Sequence, residues 1–230
     1  VACAMAGMIA GCITVTGLAS KLISGVIAIS SAIPNPTLSL LLALFLTMLC
    51  CIVLGMGVPT TANYCIMAST CAPILITLGI PKVAAHFFVF YFGIVADITP
   101  PVALAAYAGS AIAKSNPMKT GINATKLAIA AFIVPFIFAY NPQMLFENVT
   151  SVFQIIQIVI TALLGIFAVA AGLEGYILRP MHWPLRVLAV IGGLTLLIPG
   201  TVSDLIGLVI VAGIIALQVM QNKKAAREAV

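Results

Sequence analysis

Charge is what this sequence has least of. Of its 230 residues 7% are charged, ten basic and five acidic, with two histidines besides. A water-soluble domain carries about 25% charged residues, so this chain has too few to cover a surface in water. The short in/out alternation of a membrane barrel strand is also missing, which excludes the β-barrel route across a bilayer. No arginine lies inside an apolar run, so no buried guanidinium is available to clamp a carboxylate. The six cysteines (Cys3, Cys12, Cys50, Cys51, Cys65 and Cys71) are not spaced for zinc and have no histidine cluster beside them. They read as small buried hydrophobes. An intramembrane aspartyl enzyme needs two facing acids. Only Asp97 lies deep in an apolar run, whereas Asp204 follows a turn, where it reads as a helix cap. Near Val1 there is neither a charged n-region nor a cleavage site, so the start is not a signal peptide. The chain opens inside an apolar segment, and the expectation is a C-terminal fragment whose N-terminal part precedes it.

What is present in quantity is apolar. The composition is 63% hydrophobic, with a mean hydropathy of +1.27. The runs are long and continuous, which predicts an all-α integral membrane protein. A formal net charge of +5 would point to nucleic acid in a soluble protein. In a membrane protein it reads as basic residues in cytoplasmic loops, and no nucleic-acid partner is expected.

In order, residues 1–20 are predicted to span the membrane, with Gly7, Gly11, Gly17 and Ser20 favouring close packing. Residues 21–33 place Lys21, Ser24, Ala28 and Ser31 on one face and Leu22, Val26, Ile29 and Ile33 on another, an amphipathic interfacial helix ended by Pro34-Asn35-Pro36. Residues 37–54 and 64–80 are two apolar legs, the second kinked at Pro73. Residues 83–113 form one apolar run, with an aromatic block from His86 to Phe92 that reads as lipid-facing or packing surface. A loop over 114–121 leads to a span over 122–140 containing Pro135. Further spans are expected at 152–172, 187–198 and 204–220, with an interfacial loop over 174–186 and a solvated tail. Asn148-Val149-Thr150 matches a glycosylation sequon, a match that a bacterial source would make meaningless. Three regions result: 1–36, a span and amphipathic arm; 37–140, the functional half; and 141–230, an accessory membrane region. If the loop at 114–126 is cytoplasmic, every basic residue except Lys21 and Lys82 falls on the cytoplasmic side, the tail included. Both ends of 37–80 are then outside.

Two interruptions carry the chemistry. Gly55-Met56-Gly57-Val58-Pro59-Thr60-Thr61-Ala62-Asn63-Tyr64 joins the two legs. Its glycines and proline make a poor helix, yet nothing charged marks it as a loop in water. It is either the tip of a re-entrant hairpin or a connection between two full spans. Asp97-Ile98-Thr99-Pro100-Pro101 interrupts the next run, where the paired prolines free several carbonyls. An ionisable residue such as Asp97 at that depth marks a functional site. The carbonyls of Gly55, Gly57 and Val58 with the hydroxyls of Thr60 and Thr61 suit a hard cation such as Na⁺, and Thr99 with the carbonyls before Pro100 suits a second. Pro59 and Pro101 belong to the same breaks. Asn63, both donor and acceptor, can read a carboxylate or sit behind the ion. The competing reading is a pair of ordinary kinks in a helix bundle.

The decapeptide above, Ala85-His86-Phe87-Phe88-Val89-Phe90-Tyr91-Phe92, Thr99-Pro100-Pro101-Val102-Ala103-Leu104-Ala105-Ala106-Tyr107, Val134-Pro135-Phe136 and Tyr140-Asn141-Pro142 together resemble the large permease subunit of tripartite ATP-independent periplasmic (TRAP) transporters. The likeness covers residues 1–146 and is closest to the form with fused small and large membrane subunits. Residues 150–230 resemble the extra membrane region of some fused members. The resemblance implies the second inverted repeat of an elevator-type transporter in the bacterial inner membrane. It implies Na⁺-coupled uptake of an organic acid, delivered by an extracytoplasmic binding protein, with no covalent cofactor. It makes 37–80 a re-entrant hairpin with 55–63 at its tip, 83–113 a helix unwound at 97–101, and 21–33 an arm. The family motif begins at Thr99, so Asp97 is not carried over from it. A matching half-site from a first repeat, outside these residues, is also implied. The alternatives are a permease of another elevator-type anion/Na⁺ symporter family, an intramembrane aspartyl enzyme and a non-transporting scaffold.

Overall fold

The computed structural model describes residues 2–147, 149, 151–198 and 200–228. Among these residues the only regular elements are helices. They fall into two compact units, Val1–Tyr140 and Asn141–Val230.

The first unit opens with α1 (Ala2–Val15) and α2 (Leu18–Ser31). The span expected over 1–20 is therefore not one helix. Thr16 turns its hydroxyl back onto the Cys12 carbonyl at 2.7 Å, Gly17 adopts φ +66°, and the axis bends by 61°. A left-handed residue cannot continue an α-helix, and glycine takes that conformation without a Cβ clash. The arm thus starts at Leu18 rather than 21.

Asn35 accepts from the N–H groups of Thr37 and Leu38 and starts α3 (Pro36–Gly55) with proline in the first turn. α4 (Thr60–Thr70) and α5 (Ala72–Thr77) return, separated at Cys71 with Pro73 in the first turn of α5. α6 (Lys82–Val95) follows the Gly79-Ile80-Pro81 turn and packs against α3, α4 and α5. Phe88, Val89 and Phe92 on α6 are fully buried. They account for the aromatic block as packing: Phe88 and Phe92 meet Phe136 edge-on at 5.5 and 5.9 Å between ring centroids. Phe136 lies on α9 (Ile129–Tyr140), which also packs on α6.

Between them come α7 (Leu104–Ile112) and α8 (Pro117–Leu127). The expected loop at 114–121 is thus shorter. Asn116 accepts from the Lys119 N–H at 3.0 Å and caps α8, so Pro117 onward is helical. α8 and α9 meet at a 42° bend at Ala128, where the basic, amphipathic α8 gives way to an apolar helix. Pro135 sits inside α9 without ending it. The Tyr140 hydroxyl donates to the Thr37 carbonyl at 3.1 Å, tying the end of α9 to the start of α3.

The second unit holds α10 (Val152–Glu174), α11 (Trp183–Leu197) and α12 (Thr201–Glu228), with α11 against both others. Glycines let α10 and α11 approach backbone to backbone. A Cβ on Gly165 would lie 2.8 Å from the Gly193 carbonyl oxygen, and one on Gly193 would lie 2.7 Å from that of Gly165. The loop expected to run to residue 186 ends at His182, because Trp183 and Pro184 begin α11. Arg186 reaches back to the Gly172 carbonyl at 3.0 Å and to that of Leu173, closing the C-terminus of α10. The sequon at 148–150 lies largely outside the described residues, as do the tail side chains from Lys223 onward.

Among the described residues three helices are long and apolar enough to cross a bilayer: Pro36–Gly55, Val152–Glu174 and Thr201–Asn222. The bent pairs α1–α2 and α8–α9 bring the number to five if each is one span.

Candidate functional site

The first interruption is shorter than its sequence. Only Met56, Gly57, Val58 and Pro59 lie outside helix, and Thr60 already begins α4. Thr60, Thr61 and Asn63, expected in an irregular tip, are therefore helical, a correction with a simple cause. Pro59 fixes its own φ at −55° as the residue preceding α4, and its carbonyl accepts the Asn63 N–H at 2.9 Å, so the helix starts directly after it. Gly57 makes the reversal with φ +76°. No side chain caps α4, and among the described residues no hydrogen bond from the N–H of Thr60, Thr61 or Ala62 is found. That leaves the positive end of a helix dipole open beside the tip. Thr60 and Thr61 are exposed, as are Gly57 and Pro59; Val58 is half-buried. On the other side α3 ends at buried Gly55, whose carbonyl takes one long turn bond, 3.4 Å, from the Val58 N–H.

Asn63 has a different position from the threonines. It is 1% exposed and donates Nδ2 to the Gly93 carbonyl of α6 at 2.9 Å. Its Oδ1 is buried and has no hydrogen-bond partner. Two glycines make its room. A Cβ on Gly55 would stand 2.7 Å from Asn63 Nδ2, and one on Gly93 would stand 3.2 Å from it. Asn63 thus fastens α4 to α6 behind the tip and leaves one acceptor without a partner.

The second interruption runs from the end of α6 to α7. A 3₁₀ turn over Ala96–Ile98 is followed by extended Thr99, a cis Pro100–Pro101 bond and left-handed Ala103 with φ +35°. The Thr99 hydroxyl donates to the Val95 carbonyl at 2.7 Å, which spends its hydrogen and leaves its lone pairs as acceptors. Asp97 is half-buried and accepts none of the hydrogen bonds found among the described residues. Pro100 is half-buried and Pro101 exposed. The break is braced from outside itself. Tyr107 donates its hydroxyl to the Pro101 carbonyl at 2.7 Å, and Thr125 of α8 donates to that of Ile98 at 3.2 Å. Gly121 lets α8 come close, since a Cβ there would lie 3.2 Å from Pro100 Cγ.

The two interruptions adjoin. A Cβ on Gly55 would lie 3.0 Å from that of Ala96, and one on Gly57 would be 3.9 Å from Val102 and Leu104 side-chain carbons. Among the described residues no group of three or more His, Cys, Asp or Glu gathers as a metal cluster. The donors at the two breaks are carbonyls, hydroxyls and one carboxylate, the oxygen chemistry of hard cations. Gly93, Gly121, Tyr107 and Thr125 complete this region and were not among the residues expected from sequence. Gly93 had one signal, a glycine closing an aromatic run. Thr125 had none, because its acceptor lies 27 residues away.

Residues 1–150 match the family described as Tripartite ATP-independent periplasmic transporter, DctM component. Neither the curated proteins nor the solved structures yielded a match.

Proposed function

The chain belongs to the DctM component family of tripartite ATP-independent periplasmic transporters, and from that premise we propose that its first 140 residues form the second repeat of an elevator-type permease for organic acids, coupled to Na⁺. Membership makes the protein a transporter component rather than an enzyme. The observation that carries the finer reading is the meeting of the two breaks. The segment from α6 to α7, Lys82 to Ile112, is interrupted at its middle. Taken as one broken span, that segment puts its interruption at membrane depth, where a connection lying in water beyond the bilayer would not reach. Gly55 beside Ala96 and Gly57 beside Val102 therefore favour a re-entrant tip at membrane depth over a pair of full spans.

In this reading Na⁺ is held by the carbonyls of Gly55, Gly57 and Val58 with the hydroxyls of Thr60 and Thr61. A second ion is held by Thr99 and the carbonyls before Pro100. The uncapped N-terminus of α4 faces the substrate carboxylate, which takes the place of an arginine clamp. Asn63 sits behind the ion and fixes α4 against α6. Pro59, Pro100 and Pro101 keep the backbone from closing into continuous helices. Asp97 adds negative charge next to the second ion. An extracytoplasmic binding protein delivers the substrate. A matching first repeat of the same permease supplies the other half-site, and a small membrane subunit is fused to it. The membrane is the bacterial inner membrane, and the C-terminal tail is cytoplasmic.

Uptake of radiolabelled organic acids into proteoliposomes, with the binding protein present or omitted and with Na⁺ or K⁺ outside, tests this directly. Uptake is expected only with both the binding protein and an inward Na⁺ gradient. Equal uptake in K⁺ removes the coupling.

A further inference from the structure

The second unit contains a buried carboxylate that the transport reading does not use. Asp204 was expected to cap a helix after a turn. It is instead the fourth residue of α12, with its own N–H donating to the Gly200 carbonyl at 2.9 Å. It is 6% exposed. Its Oδ2 accepts from Gln157 Nε2 at 2.7 Å, so α10 and α12 are tied through it. Its Oδ1 is buried and has no hydrogen-bond partner. Ser203, the nearest hydroxyl in sequence, donates to the carbonyls of Ile198 and Gly200 instead.

Asp204 lines a cavity of about 270 Å³ together with Gln143, Gln154, Gln157, Thr201 and Gly200. Beside Ile158 the lining carries three side-chain amides and the Thr201 hydroxyl, in a unit where α10 and α11 are mostly apolar. None of its lining residues is basic. A buried carboxylate oxygen with no donor is costly unless something positive meets it. The N-terminus of α12 and the Gln157 amide meet it from one side. Asp204 also belongs to the lining of the cavity, whose other side chains include neutral amide and hydroxyl oxygens.

We propose that this cavity is a second, separate cation site, built only from residues of the C-terminal unit and taking a monovalent metal cation such as Na⁺. One carboxylate with amide, hydroxyl and carbonyl oxygens matches a singly charged hard ion. A divalent ion such as Ca²⁺ calls for more oxygens and usually several carboxylates. The proposal does not depend on how the two breaks of the first unit bind their ligands.

The test is binding of radiolabelled Na⁺ to the purified permease in nanodiscs, at constant ionic strength made up with K⁺. The background carries Thr60→Ala, Thr61→Ala and Thr99→Ala, which removes the hydroxyls proposed for the other ions. Saturable Na⁺ binding persists in that background. Asp204→Asn weakens it by at least about tenfold, the scale of one charged contact, and Thr201→Val weakens it less. Unchanged affinity in Asp204→Asn overturns the proposal. So does the absence of Na⁺ binding in the triple variant, or a site that responds to acidification with no preference between Na⁺ and K⁺. If Asp204→Asn does not accumulate, Gln154→Leu and Thr201→Val decide: unchanged affinity in both rejects the site. Absence of Na⁺-driven uptake in the wild-type permease, with this binding intact, counts only against the transport reading.

Discussion

Asn63 and Thr60 are three residues apart on one helix, and their side chains do different work. Asn63 is buried and bonded to the Gly93 carbonyl, whereas Thr60 is exposed with no hydrogen bond found. Asn63→Ala is therefore expected to cost about 1–3 kcal/mol, because it leaves a buried carbonyl without its donor. A lower melting temperature of the purified permease, in Na⁺ and K⁺ alike, is the readout. Thr60→Ala is expected to change stability by less than about 0.5 kcal/mol. The sequence marked both residues as polar groups in an apolar setting. It did not separate them, because which side of α4 faces α6 is decided by Gly55 and Gly93, whose missing Cβ atoms make the room. Asp97 was legible as the one acid inside an apolar run, yet it is half-buried whereas Asp204 is buried, and the Thr125 and Tyr107 bonds beside Asp97 depend on a tertiary approach at Gly121.

At the scale of elements, the breaks that shape the first unit have unequal signatures. The Gly-Val-Pro and Pro-Pro interruptions were readable because their residues cannot propagate a helix. The bend at Ala128 carries neither glycine nor proline at the bend itself. It falls where α8, with Lys119 and Lys126, meets apolar α9, so polarity rather than backbone chemistry sets it. The break at Gly17 was hidden for the opposite reason, since a glycine in an apolar run also reads as a packing residue. Gly57→Val should be severe. A β-branched residue at φ +76° costs about 1–2 kcal/mol and moves the tip next to Val102 and Leu104. The expected outcome is a folded permease in normal amount that has lost uptake. In the second unit, Gly193→Leu places side-chain atoms against the Gly165 backbone, 2.7 Å from Cβ to carbonyl oxygen. Separation of α10 from α11 should lower the amount of folded protein recovered in detergent by fluorescence-detected gel filtration, while Gly213→Ala, with open space around it, should not.

For the whole molecule, composition and hydropathy carried the class, helical and membrane-embedded, and the matched family agrees with it. Orientation rests on basic residues. The proposed topology assigns Lys114, Lys119, Lys126, Arg179 and Arg186 to cytoplasmic loops by the positive-inside rule. A reporter fused after Asn222 should accordingly behave as cytoplasmic, fluorescent as a GFP fusion and inactive as an alkaline phosphatase fusion. The polar cavity at Asp204 was not legible as such. Its lining comes from Gln143, α10 and the start of α12, positions that only folding assembles.

The central claim is that the tip after α3 and the break after α6 hold the coupling ions together. It is tested most directly by the Na⁺ dependence of initial uptake rates for wild type, Thr60→Ala and Thr99→Ala, each normalised to the amount inserted. The account predicts that either substitution raises the Na⁺ concentration for half-maximal uptake about tenfold, the scale of one lost ligand, at unchanged insertion. A Na⁺ dependence identical to wild type in both variants, or a loss of uptake that merely follows a loss of insertion, would contradict it.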